Sequence, residues 1–193
     1  MLESILHIDT EIFLFLNGLH NPFFDTLMYW ISHKFFWVPF YGLLVFLLYR
    51  FYGAKKGTIF TLLIVITFGL TNTLSVKAFK NVFERPRPCH NEIIMAETHI
   101  INDHCGGKWG FVSSHASNVF GLATLIFFFL GKRIRKISLG MFLWATLVSY
   151  SRIYLGVHYP LDIICGGLLG ISIATIIYSL AVKTKLIQPI RIS

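Results

Sequence analysis

Charge is what this sequence has least of. Only 13% of its 193 residues are charged, about half the share in an ordinary soluble domain, while 55% are hydrophobic and Phe alone occurs 19 times. That balance excludes a chain built around one core in water and marks a membrane protein. Acidic residues are the scarcer sign, 9 against 17 Lys and Arg, for a net charge of +8. Cysteine is nearly absent too, with three in all. There is no repeat, no low-complexity linker and no polar stretch long enough for a soluble domain. The basic start, apolar core and small-residue cleavage site of a signal peptide are also missing, so the first residues are expected to stay in the mature chain. The chain therefore reads as a single membrane domain over residues 1–193.

Long hydrophobic runs are what it has in quantity. Gly57 to Val76 and Ile163 to Val182 each hold twenty residues without a charge, matching the roughly 20 residues a helix needs to cross hydrocarbon. Phe35 to Tyr49, Trp109 to Gly131 and Ile137 to Ser151 are three further spans, trimmed by charged or aromatic flanks. Residues 1–30 mix apolar positions with Glu3, Asp9, Glu11, His20 and Asp25, which reads as an amphipathic interfacial helix followed by a turn at Asn21-Pro22. The expectation is an all-α, polytopic transmembrane helical bundle of five to six spans, the sixth being this N-terminal helix if protein shields it.

The basic excess raises nucleic acid as a partner, but its distribution points to topology. Arg50, Lys55 and Lys56, then Lys132, Arg133, Arg135 and Lys136, then Lys183, Lys185 and Arg191 occupy alternate connections. These ten cations are accompanied by no carboxylate, the pattern of loops held in the cytoplasm next to anionic headgroups. The C-terminus is then cytoplasmic, and the 77–112 loop and the turn Ile153 to Val157 face outward. Cys165 reads as a small residue inside the last span. Cys89 and Cys105 both fall in the outward loop. There they would either close a disulfide in an oxidising compartment or join His90 and His104 at a metal, although CH and HC pairs lack the spacing of ordinary zinc ligands.

Three outward segments carry the chemistry. KNVFERPRP places Lys80, Arg85 and Arg87 within eight residues, a cluster suited to a phosphate, or alone to snorkelling into the headgroup layer. In GFVSSHASN, Ser113 or Ser114 caps the next helix and leaves N–H groups facing an anion, with His115 in the first turn. In SRIYLGVHYPLD, five residues separate Arg152 from His158, so chain length alone brings guanidinium and imidazole together. Asp162, four past His158, reaches back to orient the ring, and a histidine so held is a nucleophile or a base. Ionisable groups at membrane depth usually mark function. Cations for the phosphate oxygens, one histidine to attack phosphorus and another to protonate the leaving oxygen make a phosphoryl-transfer site that calls for no metal or other cofactor.

These segments resemble the motifs of the type 2 phosphatidic acid phosphatase family, K-x6-RP, PSGH and SR-x5-H-x3-D. Lys80 with Arg87-Pro88 fits the first, and Ser151-Arg152, His158 and Asp162 fit the third. The second is degenerate: Val112-Ser113-Ser114-His115 keeps serine and histidine but not proline and glycine. The resemblance runs from about Lys77 to Gly166, nearly half the chain. It implies a helical bundle, His158 as the residue transiently phosphorylated, Asp162 as its orienting partner and His115 as general acid. It also implies that Lys80, Arg87, Arg152 and Ser113 hold the phosphate, with Ser114 offering its backbone N–H. The family includes soluble vanadate haloperoxidases, which a chain this apolar does not match.

The implied enzyme is a lipid phosphatase of a bacterial inner membrane with its site facing the periplasm or exterior. Undecaprenyl diphosphate is the leading substrate, on the small size of the chain. Phosphatidylglycerol phosphate, phosphatidic acid and a lipid A phosphate are the alternatives. A transporter would carry its charges near the bilayer midplane rather than at one rim. A non-catalytic lipid-phosphate binder would normally lose the nucleophile, and His158 and Asp162 are both present.

Overall fold

An apolar segment can sit in lipid only if its backbone hydrogen bonds close on themselves, and the helix is the simplest way to do so. The computed structural model, which describes residues 2–102, 105–134 and 136–189, places nearly every apolar run in a helix. Arg135 and Arg191 of the basic clusters, and His104 of the metal alternative, lie outside the described residues. Among the described residues there is no β-strand, only a bridge between Pro86 and Trp109. That bridge alters one expected boundary. Residues 108–110 pair with the 85–87 segment through Gly110 N–H to Arg85 O (2.8 Å) and Arg87 N–H to Lys108 O (3.0 Å), and the helix begins at Ser114 rather than Trp109.

The N-terminal part forms α1 (Leu2–Gly18) and α2 (Pro22–Ser32), separated by a turn in which Asn21 caps α2 by accepting from Phe24 N–H at 3.0 Å. On α1 the polarity is inverted relative to a helix in water. Ile5, Ile8, Ile12 and Phe15 are exposed, while Asp9, Phe13 and Asn17 are buried against the bundle. Asn17 uses its whole amide there, donating to the carbonyls of His99, Ile153 and Tyr154 and accepting from His99 N–H.

The next helical stretch runs 50 residues, Lys34–Phe83, and would span about 75 Å if straight, more than twice a hydrocarbon core. Gly53 breaks it with φ 72° inside α3 (Val38–Leu74). The two limbs then double back on each other. A Cβ added to Gly57 would lie 3.1 Å from the Tyr49 Cα, an approach that residues eight apart in a continuous helix never make, and the Tyr49 hydroxyl meets Thr58 at 2.9 Å. The expected spans Phe35 to Tyr49 and Gly57 to Val76 are thus the arms of a hairpin. Beyond Leu74 the chain widens into a π turn, Ser75–Lys80, then the short α4 (Asn81–Phe83), which ends at Glu84 with φ 45°. Pro160–Lys183 is the other helix long and apolar enough to cross a bilayer by length and composition.

α5 (Ser114–Leu130), α6 (Ile137–Tyr154) and α7 (Pro160–Lys183) pack with α3 around Leu48, Leu125, Ile126, Phe129, Met141 and Ala174. The closest approach is between α5 and α7, and glycine permits it. A Cβ at Gly170 would fall 2.1 Å from the Ser117 carbonyl oxygen, and one at Gly166 would fall 2.6 Å from that of Ser113. Small residues at such a crossing let helix backbones touch. As a result the first turns of α5 and α7 lie side by side.

Candidate active site

The turn after α6 and the start of α7 build the centre of the site. Leu155, Gly156 and Val157 reverse the chain, with Gly156 at φ 73° and Val157 N–H donating to Arg152 O at 3.1 Å. Pro160 opens α7, where its missing N–H costs nothing. Asp162 in that first turn accepts from Tyr159 N–H at 3.1 Å and meets His158 Nδ1 at 3.2 Å with the same oxygen, Oδ2. Both side chains are essentially sealed from solvent, at 1% and 0% exposure. Burial, then the charges of Arg87 and Arg152, push the His158 pKa well below the usual imidazole range. Nδ1 faces the Asp162 carboxylate, which leaves Nε2 as the ring nitrogen turned away from it.

α5 lies against this turn. Ser113 caps α5 with its Oγ toward Ala116 N–H at 3.4 Å, and Ser113 N–H donates to Asp162 O at 3.0 Å, tying the two helix starts together. The Ser114 hydroxyl pairs with Ser75 at 2.7 Å, so it is held by the π turn that also carries Lys80. Helix geometry leaves the first N–H groups of α5 without an intrahelical acceptor.

His115 and Arg152 line one cavity of about 360 Å³, closed on its other side by Tyr29, Ser32 and His33 from the α2 region. Arg152 donates to the Ser32 hydroxyl and keeps its buried Nε without a partner. Lys80, Arg87 and His158 do not line that cavity, yet the charges of Arg152, Lys80 and Arg87 all act on both imidazoles. Arg87 is held in place by carbonyls, Nη1 to Cys105 O at 3.0 Å and Nε to Trp109 O at 3.4 Å. Cys89 and Cys105 are joined in a disulfide, which ties down the residue whose carbonyl meets Arg87 Nη1, and Cys165 is free.

Arg85 departs from its sequence reading as one of three phosphate-seeking cations. Its guanidinium is claimed by two carboxylates, Nη1 by Asp162 Oδ1 at 3.0 Å and Nη2 by Asp9 Oδ2 at 2.7 Å, and it stacks over the Tyr159 ring at 3.8 Å. Asp9 in turn accepts from Leu161 N–H at 2.8 Å. Sequence reasoning treated Asp9 only as a polar residue in an amphipathic helix. The one signal available was its spacing with Phe13 and Asn17, four residues apart on a single face. Ser32 gave no signal at all.

A sealed histidine–carboxylate pair and a second histidine that shares a cavity with Arg152 are groups whose chemistry suits phosphoryl transfer. Comparison with known proteins places the chain more narrowly. Residues 57–185 match the model of the PAP2 superfamily, and the chain belongs to that family. It is 36% identical over 171 residues to a lipid A 4'-phosphatase of Bacteroides thetaiotaomicron, covering 88% of this chain and 75% of that one. It is 35% identical over 179 residues to a lipid A 4'-phosphatase of Porphyromonas gingivalis, covering 92% and 74%. The fold also matches the transmembrane PAP2-type phosphatidylglycerolphosphate phosphatase of Bacillus subtilis with a TM-score of 0.70 at 21% identity, over 97% of this chain and 90% of that one. The chain is a membrane phosphatase, a hydrolase acting on phosphate esters.

Proposed function

We propose that this protein removes a phosphate from a lipid A-type glycolipid at the outward face of the membrane, through a phosphohistidine formed on His158. The observation that carries the reading is the buried His158–Asp162 pair, 3.2 Å apart. The small size of the chain favoured undecaprenyl diphosphate; the names of both curated relatives shift the preference to a lipid A phosphate.

In the first step the His158 Nε2 lone pair forms a bond to phosphorus as the bond to the leaving oxygen breaks, and His115 gives that oxygen its proton. Asp162 accepts from Nδ1–H throughout and stabilises the cationic ring. In the second step water attacks phosphorus, His115 takes the water's proton, and the P–N bond breaks to return neutral His158 and free phosphate. Lys80, Arg87, Arg152 and Ser113, with the Ser114 backbone N–H, hold the equatorial oxygens. Five crossings fit this arrangement: the two limbs of α3, then α5, α6 and α7, with the C-terminus inside. The exposed apolar face of α1 supports its lying on the outward interface.

Phosphate release by purified protein in excess EDTA is the test, with lipid A, undecaprenyl diphosphate, phosphatidylglycerol phosphate and phosphatidic acid as competing substrates. Wild type should act fastest on lipid A, and His158→Ala should lose at least about 10⁴-fold. Retained activity in that variant removes His158 as nucleophile, and faster release from another lipid reassigns the substrate.

A further inference from the structure

A second cavity lies at the other end of the bundle from the catalytic residues. It is about 620 Å³ and gathers three connections that are distant in sequence: the α3 hairpin with Lys55 and Lys56, the α5–α6 link with Lys132 and Arg133, and the segment after α7 with Lys185. Tyr52, Ile59, Phe60 and Ile187 supply apolar walls. Among the described residues no carboxylate pairs with any of these five cations, because the eight described acids all belong to α1, α2, residues 84–97 or the start of α7.

Topology asks only that cations stay on the inner side; it does not ask that they converge on one hollow. The convergence here is constructed. Lys185 takes a left-handed backbone, φ 59°, unusual for a residue with a Cβ. That turn folds the chain back so that Ile187 N–H donates to Ala181 O at 3.2 Å and Ile187 is buried at 6% exposure. Tyr52 is pinned by its hydroxyl to the Phe129 carbonyl, and Arg133 sits 5.8 Å over its ring. The result is a cavity with aromatic and aliphatic walls and a rim of positive charge that no side-chain carboxylate among the described residues neutralises.

We propose that this cavity binds phosphate-bearing anions, a second phosphate site separate from the catalytic one. Its chemistry suits the phosphodiester of an anionic phospholipid headgroup, whose glycerol would rest on Phe60 and Ile59, and equally a free phosphate. The proposal does not depend on the catalytic reading, since none of its residues belongs to that site.

The test uses the full-length protein and a variant carrying Lys56→Gln, Arg133→Gln and Lys185→Gln, beside a charge-retaining control, Lys56→Arg with Lys185→Arg. Phosphatidylglycerol, a diester, is titrated into phosphatidylcholine nanodiscs and its retention read by native mass spectrometry. Inorganic phosphate is titrated separately by calorimetry in zwitterionic detergent. For a headgroup site, wild type and the arginine control retain phosphatidylglycerol and the glutamine variant binds it about 100-fold more weakly, each removed charge near a membrane surface being worth about 1 kcal/mol. For a free-phosphate site, phosphate stoichiometry falls by one per chain in the glutamine variant and lipid retention does not change. Equal behaviour of wild type and the glutamine variant in both titrations, with thermal unfolding showing the variant folded, overturns the proposal.

Discussion

The two ends of this bundle use charge in opposite ways. At the end that carries His158 each of three arginines has a partner within a few ångströms: Arg85 bridges Asp9 and Asp162, Arg87 is held by two carbonyls, and Arg152 reaches Ser32. At the opposite end five cations line a cavity and pair with no carboxylate among the described residues. Ion pairs out of water must be complete to be tolerated, whereas solvated cations at a headgroup surface need no partner. Substitution should therefore be severe at one end and mild at the other.

The sharpest break in that contrast is Asp162→Asn. It keeps the shape but withdraws the charge that faces both the His158 ring and Arg85, so kcat per folded molecule should fall by about 10³ to 10⁴-fold and the unfolding temperature should drop as well. Arg85→Gln comes next. It leaves two buried carboxylates without their shared cation and should cost about 3–5 kcal/mol of stability, read as a lowered unfolding temperature in detergent. Arg152→Lys replaces a planar fork by a point charge and should lower kcat/KM by about 10 to 100-fold without a stability change. Unaltered kinetics there would take Arg152 off the phosphate.

Acid titration is a subtler probe. The folded pKa of His158 lies well below that of the free imidazole, so below about pH 6.5 the unfolded chain binds a proton that the folded one refuses. Its contribution to stability is present above that pH and is lost as pH falls toward the folded pKa, at no more than about 1.4 kcal/mol per unit. His158→Ala should flatten that slope. The smallest effect is expected at the other end, where Lys132→Gln in zwitterionic detergent should shift stability by no more than about 0.5 kcal/mol and leave turnover alone.

How far the sequence discloses this arrangement follows from the range of each interaction. His158, Asp162 and Arg152 lie within eleven residues, and a short turn between two apolar runs fixes their meeting. The hairpin of α3 is legible for the same reason, from a cationic interval around Gly53 between two apolar runs. The bond from Asp9 to Arg85 crosses 76 positions and the one from Arg152 to Ser32 crosses 120, and nothing local in either partner announces the other. Arg85 illustrates the limit best. Next to Lys80 and Arg87 it has the composition of a phosphate grip, and only the placement of α1 shows it bound to acids instead.

The Asp9–Arg85–Asp162 chain also bears on where this enzyme can be cut. The family match begins at residue 57, and a fragment trimmed to residues 57–185 would retain both histidines, Lys80, Arg87 and Arg152. It would nonetheless have lost one of the two carboxylates on Arg85, the acceptor for Leu161 N–H and the Asn17 amide that satisfies three carbonyls of the outer loop and turn. Homology boundaries and the cooperative unit do not coincide here: α1 lies outside the matched region yet is tied to the Asp162 carboxylate through Arg85, and design or truncation has to carry it along.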